Sequence, residues 1–126
     1  MSNIKELLGK ILTKVEQVGN DEDEIVFVTN EGKQYKMYHN TNCCESVTIE
    51  DVIGDLNDLI GEPICMAEEV TSHDNLCGIT KEYQDNNFTW TFYKLATVKG
   101  YVTIRWYGSS NGYYSEEVDF EEVTHL

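Results

Sequence analysis

Basic side chains are scarce in this sequence, which has a single arginine, Arg105, and a single proline. Nine lysine and arginine residues stand against 23 aspartate and glutamate residues, and the formal net charge is −14. A chain of this charge repels nucleic acids and anionic membranes by Coulomb force unless a local patch reverses the sign. We therefore expect a partner with a basic surface, and no direct binding to nucleic acid or to membranes. Solubility is the alternative explanation, because acidic surfaces keep small proteins monomeric.

Long apolar segments are absent as well. No apolar run approaches the roughly 18 residues that a membrane-spanning helix requires. The start of the chain, MSNIKELLGKILTKVEQ, is too charged and too periodic for a secretion signal. These absences predict a cytoplasmic protein, and the length of 126 residues predicts a single domain over 1–126.

Familiar catalytic motifs are also missing. The sequence contains no P-loop, Rossmann glycine pattern, nucleophile elbow, H-E-x-x-H motif or RNA-binding signature. We therefore expect a protein that is not an enzyme and that uses no cofactor.

Four cysteines are present, but their spacing does not match a common zinc site. Cys43 and Cys44 are adjacent, whereas zinc knuckles and ribbons use paired C-x-x-C spacing. A thiol nucleophile is disfavoured, because acidic neighbours oppose the lowered pKa that a reactive cysteine needs. We predict no metal site. A zinc-stabilised module stays an alternative because six potential ligands occur: His39, Cys43, Cys44, Cys65, His73 and Cys77.

Aromatic residues concentrate near the C-terminus. Residues 88–120 hold both tryptophans, three of the four phenylalanines and five of the eight tyrosines. Apolar and polar residues alternate there between glycine-containing turns, which predicts a three-stranded antiparallel meander. We assign to the core the face with Phe88, Trp90, Phe92, Val102, Ile104 and Trp106. The other face is more polar and carries Tyr93, Tyr101, Arg105 and Tyr107.

One segment has helical periodicity. A main helix is predicted at about 51–60 from the apolar stripe Val52, Ile53, Leu56, Leu59 and Ile60. Gly54 inside this helix costs about 1 kcal/mol relative to alanine, so either a neighbour approaches closely there or the helix is weak.

The remaining segments complete the predicted fold. One or two helical turns are predicted at 3–8, and strands at 11–18, 25–29, 33–39 and 64–70. Residues 73–87 have few large apolar side chains and are predicted to form a flexible surface excursion. The predicted fold class is α+β, with an antiparallel sheet that includes the C-terminal meander and packs against the main helix.

Two sets of side chains are candidates for binding. The first is acidic and would meet a basic partner: Glu50, Asp51, Asp55, Asp58, Glu116, Glu117 and Asp119, with Glu121 and Glu122 beside them. The second surrounds the arginine, whose guanidinium among aromatic rings can hold a phosphate or carboxylate and stack on a base. Its members are Tyr93, Arg105, Tyr107, Ser109, Asn111 and Tyr113. Each set also has an ordinary explanation: the acidic residues can form a solvated surface, and the residues around the arginine can simply be part of the sheet. The acidic pair Glu68 and Glu69 is interpreted as solvated.

Two long strings resemble a family of small uncharacterised proteins from phages and prophages. They are YHNTNCCESVTIEDVIGDLNDLIGEPICMAEE and TWTFYKLATVKGYVTIRWYGSSNGYYSEEVDF, and the resemblance covers about residues 38–120. It implies a viral accessory protein that acts in the bacterial cytoplasm. It carries over no catalytic residues.

Together these observations predict a phage-encoded accessory protein that binds and inhibits a bacterial host protein, such as a CRISPR nuclease or another immune-defence effector. Its acidic surface would mimic a nucleic acid. Two alternatives stay open, namely sequestration of a nucleotide signal of bacterial immunity and the zinc-stabilised module. The oligomeric state is left open, with a homodimer as one option.

Overall fold

Eight strands form two antiparallel sheets in the computed structural model, which describes residues 3–18, 23–40, 45–72, 87–110 and 116–123. The strands are β1 (Leu12–Val18), β2 (Glu24–Thr29), β3 (Gln34–Tyr38), β4 (Ser46–Ile53), β5 (Met66–Ser72), β6 (Asn87–Thr97), β7 (Gly100–Ser110) and β8 (Asp119–Val123). The first sheet has the order β1-β2-β3-β8, and the second has the order β4-β7-β6-β5. The helical segments of the described residues are two 3-10 turns, Ile4–Leu7 and Leu56–Leu59.

The first sheet follows from alternating side chains and a tight turn. Along β2 every second residue, Ile25, Phe27 and Thr29, is buried, as expected for a strand with one face on a core. Gly32 occupies the turn to β3 with a φ of +85°, which glycine adopts without steric cost. The hairpin of β2 and β3 and the position of β1 agree with the strands predicted from the sequence.

The inner faces of the two sheets meet in one hydrophobic core. The first sheet contributes the buried side chains of Phe27, Tyr35 and Met37, and the second contributes Ile104 and Trp106. The indole Nε1–H of Trp106 donates to Sδ of Met37 at 3.3 Å, so this contact bridges the two sheets. Large aromatic side chains such as these supply much of the buried apolar area that stabilises a small domain.

The prediction of a main helix at about 51–60 is wrong, and with it the α+β fold class. Residues 46–53 form β4, which pairs along β7, and the 3-10 turn Leu56–Leu59 follows it. Gly54 separates the two with a φ of +106°, and a Cβ there would lie 2.5 Å from the carbonyl oxygen of Tyr101. A helix cannot continue through this residue, and the β-branched side chains before it favour a strand. The helical period therefore arises from two short segments that happen to adjoin.

The predicted meander is correct for its first hairpin and wrong for its third strand. β6 and β7 pair over their full lengths, with Thr97 opposite Gly100 at the turn. Residues 119–123 do not continue this sheet, because they pair with β3 in the first sheet. The chain therefore crosses from one layer to the other after β7.

The two faces of β6 are exchanged relative to the prediction. Tyr93 lies opposite the buried Ile104 of β7, and the two-residue period of a strand places Thr91 on the same, core-directed face. Trp90 lies on the other face, opposite Tyr107. Aromatic residues occupy both even and odd positions of β6, so its own sequence does not reveal which set enters the core. Phe88, Trp90 and Phe92, which were predicted for the core face, lie on the outer face; Trp90 is nevertheless buried there, and Phe88 and Phe92 are half-buried.

Two further predictions concern the surface excursion and the membrane. The excursion predicted at 73–87 lies outside the described residues, except for its last residue, Asn87, with which β6 begins. Within the ranges that the structure describes, no helix is both long enough and apolar enough to cross a membrane.

Replacing Gly54 with alanine is expected to destabilise the fold more than replacing Gly32 with alanine. Both glycines have a positive φ, which costs an alanine about 1–2 kcal/mol. At Gly54 the new Cβ would also meet the Tyr101 carbonyl oxygen, whereas at Gly32 it would meet nothing within 4 Å. We expect the free energy of unfolding to fall by about 3 kcal/mol for Gly54→Ala and by about 1 kcal/mol for Gly32→Ala. Urea denaturation measures both, and equal losses would contradict the close approach of Gly54 to β7.

Candidate functional site

An acidic pocket opens between edge strands of the two sheets. β5 lies at one edge of the second sheet, and β8 lies at one edge of the first. The pocket between them has a volume of about 270 Å³, and Asn3 and Ile4 of the N-terminal turn border it. Four of the residues that line it carry carboxylates: Glu69, Glu117, Asp119 and Glu121.

Among the described residues that line the pocket, none is basic. The ion pairs found in the described part of the chain involve other carboxylates: Lys10–Glu31, Lys14–Glu16, Lys36–Glu24 and Arg105–Asp51. The imidazole of His39 contacts Glu45, which also lies outside the pocket. A cleft that is lined by charges of one sign focuses the electrostatic field and raises the local concentration of counter-ions. The pocket is therefore a region of negative potential on a chain that is already acidic.

The surroundings of Glu69 in the pocket raise the pKa of its carboxyl group. Glu69 lies on β5 opposite Tyr93 of β6. Burial raises the pKa of Glu69, a hydrogen bond with the Tyr93 side chain lowers it, and the charge of Glu117 raises it, so the net pKa lies above its usual value. Burial, followed by the charges of Glu69 and Asp119, also raises the pKa of Tyr93. The phenol therefore stays protonated and can donate a hydrogen bond.

Threonine side chains add neutral polar groups to the pocket, which Thr71, Thr89 and Thr91 line. The hydroxyl of Thr89 donates to Oε1 of Glu116 at 2.7 Å. Thr91 is 2% exposed, and its hydroxyl makes no hydrogen bond with any residue that the structure describes. Buried polar groups in native proteins are normally hydrogen-bonded, so an unpartnered hydroxyl beside a pocket is available to a ligand.

Hydrogen bonds hold the segment before β8 against both sheets. Oε2 of Glu116 accepts from the Ser110 hydroxyl at 2.5 Å. The ring of His39 is buried, with Nδ1 at 2.7 Å from the carbonyl oxygen of Glu117 and Nε2 at 3.0 Å from Oε2 of the buried Glu45. The Glu117 carbonyl can only accept, so Nδ1 carries a proton and donates it. These contacts fix the position of Glu117 at the pocket.

The predicted partner-binding carboxylates fall into two groups. Glu117 and Asp119 line the pocket, and Glu116 anchors the segment beside it. The other four lie away from the pocket, on β4 and in the turn after it: Glu50, Asp51, Asp55 and Asp58.

The carboxylates of the second group take part in local structure. Oδ2 of Asp51 lies 3.7 Å from Nη2 of Arg105 on the neighbouring strand. Oδ1 of Asp55 accepts from the backbone N–H of Asn57 at 2.9 Å and so caps the 3-10 turn. The structure thus brings the C-terminal part of the acidic set to the pocket and leaves the rest elsewhere.

Arg105 lies on the outer face of the second sheet. Its Cζ is 5.8 Å from the centroid of the Trp90 ring, and that ring lies 4.7 Å from the ring of Tyr107. The buried Nε of Arg105 has no hydrogen-bond partner among the described residues. The guanidinium is therefore packed against aromatic rings.

The ligand set predicted around the arginine is only partly assembled. Tyr107 and Ser109 share a strand face with Arg105 by the two-residue period of β7. Tyr93 does not, because it is 1% exposed and lies on the core-directed face of β6. Asn111 and Tyr113 lie outside the described residues.

The possible zinc ligands do not form a cluster in the part of the chain that the structure describes. No three His, Cys, Asp or Glu side chains there are arranged to hold a metal ion. The Cys65 thiol donates to the carbonyl oxygen of Ala96 at 3.4 Å. The other cysteines and His73 lie outside the described residues: Cys43, Cys44 and Cys77.

Sequence reasoning interpreted Glu69, with Glu68, as a solvated pair and did not consider Thr91. The two-residue period of β5 carries a signal, because it places Glu69 on the same face as the buried Ala67 and puts Glu68 on the opposite face. That face becomes a pocket only because β8 lies at the neighbouring edge. The pairing of β8 with β3 is a long-range arrangement that no local pattern reveals.

The chain belongs to the family described as Domain of unknown function (DUF7448), whose model matches residues 5–120. No curated protein and no solved structure matches the chain. The matched region includes Glu69, Thr91, Glu117 and Asp119, so most of the pocket lies within it.

Glu69→Gln is expected to stabilise the protein more at about pH 7 than at about pH 4. The raised pKa means that the fold disfavours the charged form of Glu69, which faces Tyr93 on β6 and Glu117 before β8. This cost is absent below the ordinary glutamate pKa of about 4.3 and develops as the pH rises through the folded-state pKa. We expect the gain in melting temperature to be modest, because Glu69 keeps contact with solvent, which screens its charge.

Glu68→Gln is the matched control for this measurement. Glu68 is the preceding residue of β5 and lies on the outer face, opposite Lys94. Thermal unfolding of both variants at both pH values should show the larger pH-dependent gain for Glu69→Gln. The same pH dependence in both variants would show that the pocket does not affect Glu69.

Proposed function

We propose that the protein is a non-enzymatic binding protein that recognises the basic surface of another protein. The observation that carries this proposal is the acidic pocket between β5 and β8, where Glu69, Glu117 and Asp119 lie with no basic residue among the described lining residues. Carboxylates that line a cleft attract cationic partners and accelerate their association. The net charge of −14 extends the same attraction over the rest of the surface.

The resemblance of the sequence to phage and prophage proteins supports a more specific form of this proposal. In that form the protein is a phage-encoded accessory protein in the bacterial cytoplasm, and its partner is a host protein that it inhibits. Proteins that bind nucleic acids, defence nucleases among them, present basic grooves that neutralise phosphates. An acidic cleft on a small protein is complementary to such a groove.

Binding of a nucleotide signal at Arg105 is a less well supported alternative. The unpartnered Nε and the adjacent Trp90 ring favour an anionic, aromatic ligand. However, the Arg105 side chain is only 15% exposed and Trp90 only 1%, so a ligand would have to displace the packing around them. The zinc alternative depends on cysteines that lie mostly outside the described residues.

Association with the partner is expected to be fast and sensitive to salt. Affinity capture from a bacterial host lysate at low salt identifies the partner, and the purified proteins then give the association rate constant. Electrostatic steering predicts that this constant falls by about tenfold or more between about 20 mM and about 500 mM salt. Recovery of no specific partner, or a rate constant that does not change with salt, would count against the proposal.

Neutralising the pocket should weaken the complex more than neutralising carboxylates elsewhere. The pocket variant carries Glu69→Gln, Glu117→Gln and Asp119→Asn, and the control carries Glu16→Gln, Glu62→Gln and Glu68→Gln. Each variant loses three negative charges, so any difference in affinity between the two variants reflects where the charges lie and not the net charge. We expect the pocket variant to lose about tenfold more affinity than the control. A control that binds as weakly as the pocket variant would show that the pocket has no special role.

A further inference from the structure

We infer that the pocket between β5 and β8 receives the side chain of an arginine from the basic partner, an inference that rests on the proposed function. The guanidinium lies between Glu69 on β5 and the acidic residues Glu117 and Asp119 at the start of β8. The Thr91 hydroxyl on β6 serves as a further acceptor. The inference thus specifies which chemical group of the partner the pocket binds.

The Thr91 hydroxyl distinguishes this pocket from a merely acidic surface. The side chain is 2% exposed, lines the pocket and forms no hydrogen bond with the residues in the described ranges. The hydroxyl oxygen is not among the fully buried atoms that lack a partner, so it reaches the pocket and can accept a hydrogen bond from a donor there.

Three of the pocket carboxylates have no ion pair with a basic side chain among the described residues. The ion pairs of the described residues do not involve Glu69, Asp119 or Glu121. Burial and the charge of Glu117 leave the ionised form of Glu69 disfavoured. A cation between these groups would offset the repulsion between Glu69 and Glu117, because an opposite charge within a few ångströms stabilises a carboxylate.

The arrangement of acceptors favours a guanidinium over a metal ion or an ammonium. A metal ion needs several ligands that converge on one point, and the described residues contain no such group. An ammonium is a compact charge with three donors, whereas a guanidinium has five donors in a planar fork. The pocket acceptors are spread over β5, β6 and the start of β8, which suits the wider group.

The size and position of the pocket favour a side chain of a protein over a free small molecule. Its volume of about 270 Å³ lies below the roughly 300–1,000 Å³ of pockets that enclose drug-sized ligands. The pocket opens beside β5 and β8, each of which is an edge strand. An extended segment of a partner can lie along such an edge and direct one side chain inward.

The test uses the full chain and two capped five-residue peptides, one of alternating glycine and arginine and one with lysine in place of arginine. Nitrogen–proton NMR spectra follow each titration at low salt. We expect the arginine peptide to bind at least about fivefold more tightly and to shift the amide signals of Thr91 and Tyr93. Equal affinities for the two peptides, or shifts confined to residues outside the pocket, would overturn the inference.

Three variants distinguish binding of the guanidinium inside the pocket from non-specific electrostatic attraction to the acidic surface. Thr91→Val and Glu69→Gln should each weaken binding of the arginine peptide by about tenfold, whereas Glu68→Gln should change it by less than about twofold. Thr91→Val leaves every charge in place, so its effect cannot come from net charge. Melting temperatures establish that each variant is folded.

The outcomes distinguish this inference from the proposed function. If Thr91→Val and Glu69→Gln bind the arginine peptide as tightly as the wild type does, the inference is overturned. The proposed function would survive that result, because it requires only salt-dependent binding to a basic partner. If neither the peptides nor any basic protein binds at low salt, both are overturned.

Discussion

The register between β6 and β7 determines what each face of the second sheet presents. It directs Thr91 and Tyr93 toward the first sheet, on the same face of the second sheet as Glu69 of the neighbouring β5. It leaves Trp90 on the outer face with Arg105. A slip of one residue would exchange the two faces, and the pocket would lose both its phenol and its buried hydroxyl. Hydrogen bonding along the whole length of the two strands opposes such a slip, so the pocket depends on an extended pairing rather than on a few local contacts.

The negative charge of the chain has different roles in different places. On β4 and in the turn after it, carboxylates form local contacts, as Asp51 does with Arg105 and Asp55 does with the backbone. Between β5 and β8 they face one another, and burial together with the charge of Glu117 disfavours the ionised form of Glu69. Ionisable groups in unfavourable surroundings concentrate at sites of binding and catalysis. This contrast supports the proposal that a basic partner binds at the pocket and not on the acidic surface as a whole.

Local patterns in the sequence were sufficient for several elements of the fold. The alternation of β2, the glycine turn after it and the hairpin of β6 and β7 all follow from neighbouring residues. The segment at 51–60 failed because a strand end and a 3-10 turn together imitate a helical stripe, although Gly54 marked the break. The binding role of the acidic residues near the C-terminus stays a prediction. Glu69 and Thr91 could not be identified, because their surroundings depend on which sheet β8 joins.

The two strands that border the pocket are also the places where copies of the chain would be expected to adhere. An edge strand presents backbone donors and acceptors that another strand can pair with, which is a common route to aggregation. Here β5 carries Glu68 and Glu69, and β8 carries Glu121 and Glu122, so two copies that approach edge to edge bring like charges together. Mutual repulsion thus protects the strand edges while the protein is alone. A cationic partner of the kind proposed would neutralise these side chains and so remove the repulsion, and in the same step it would cover the strand edges.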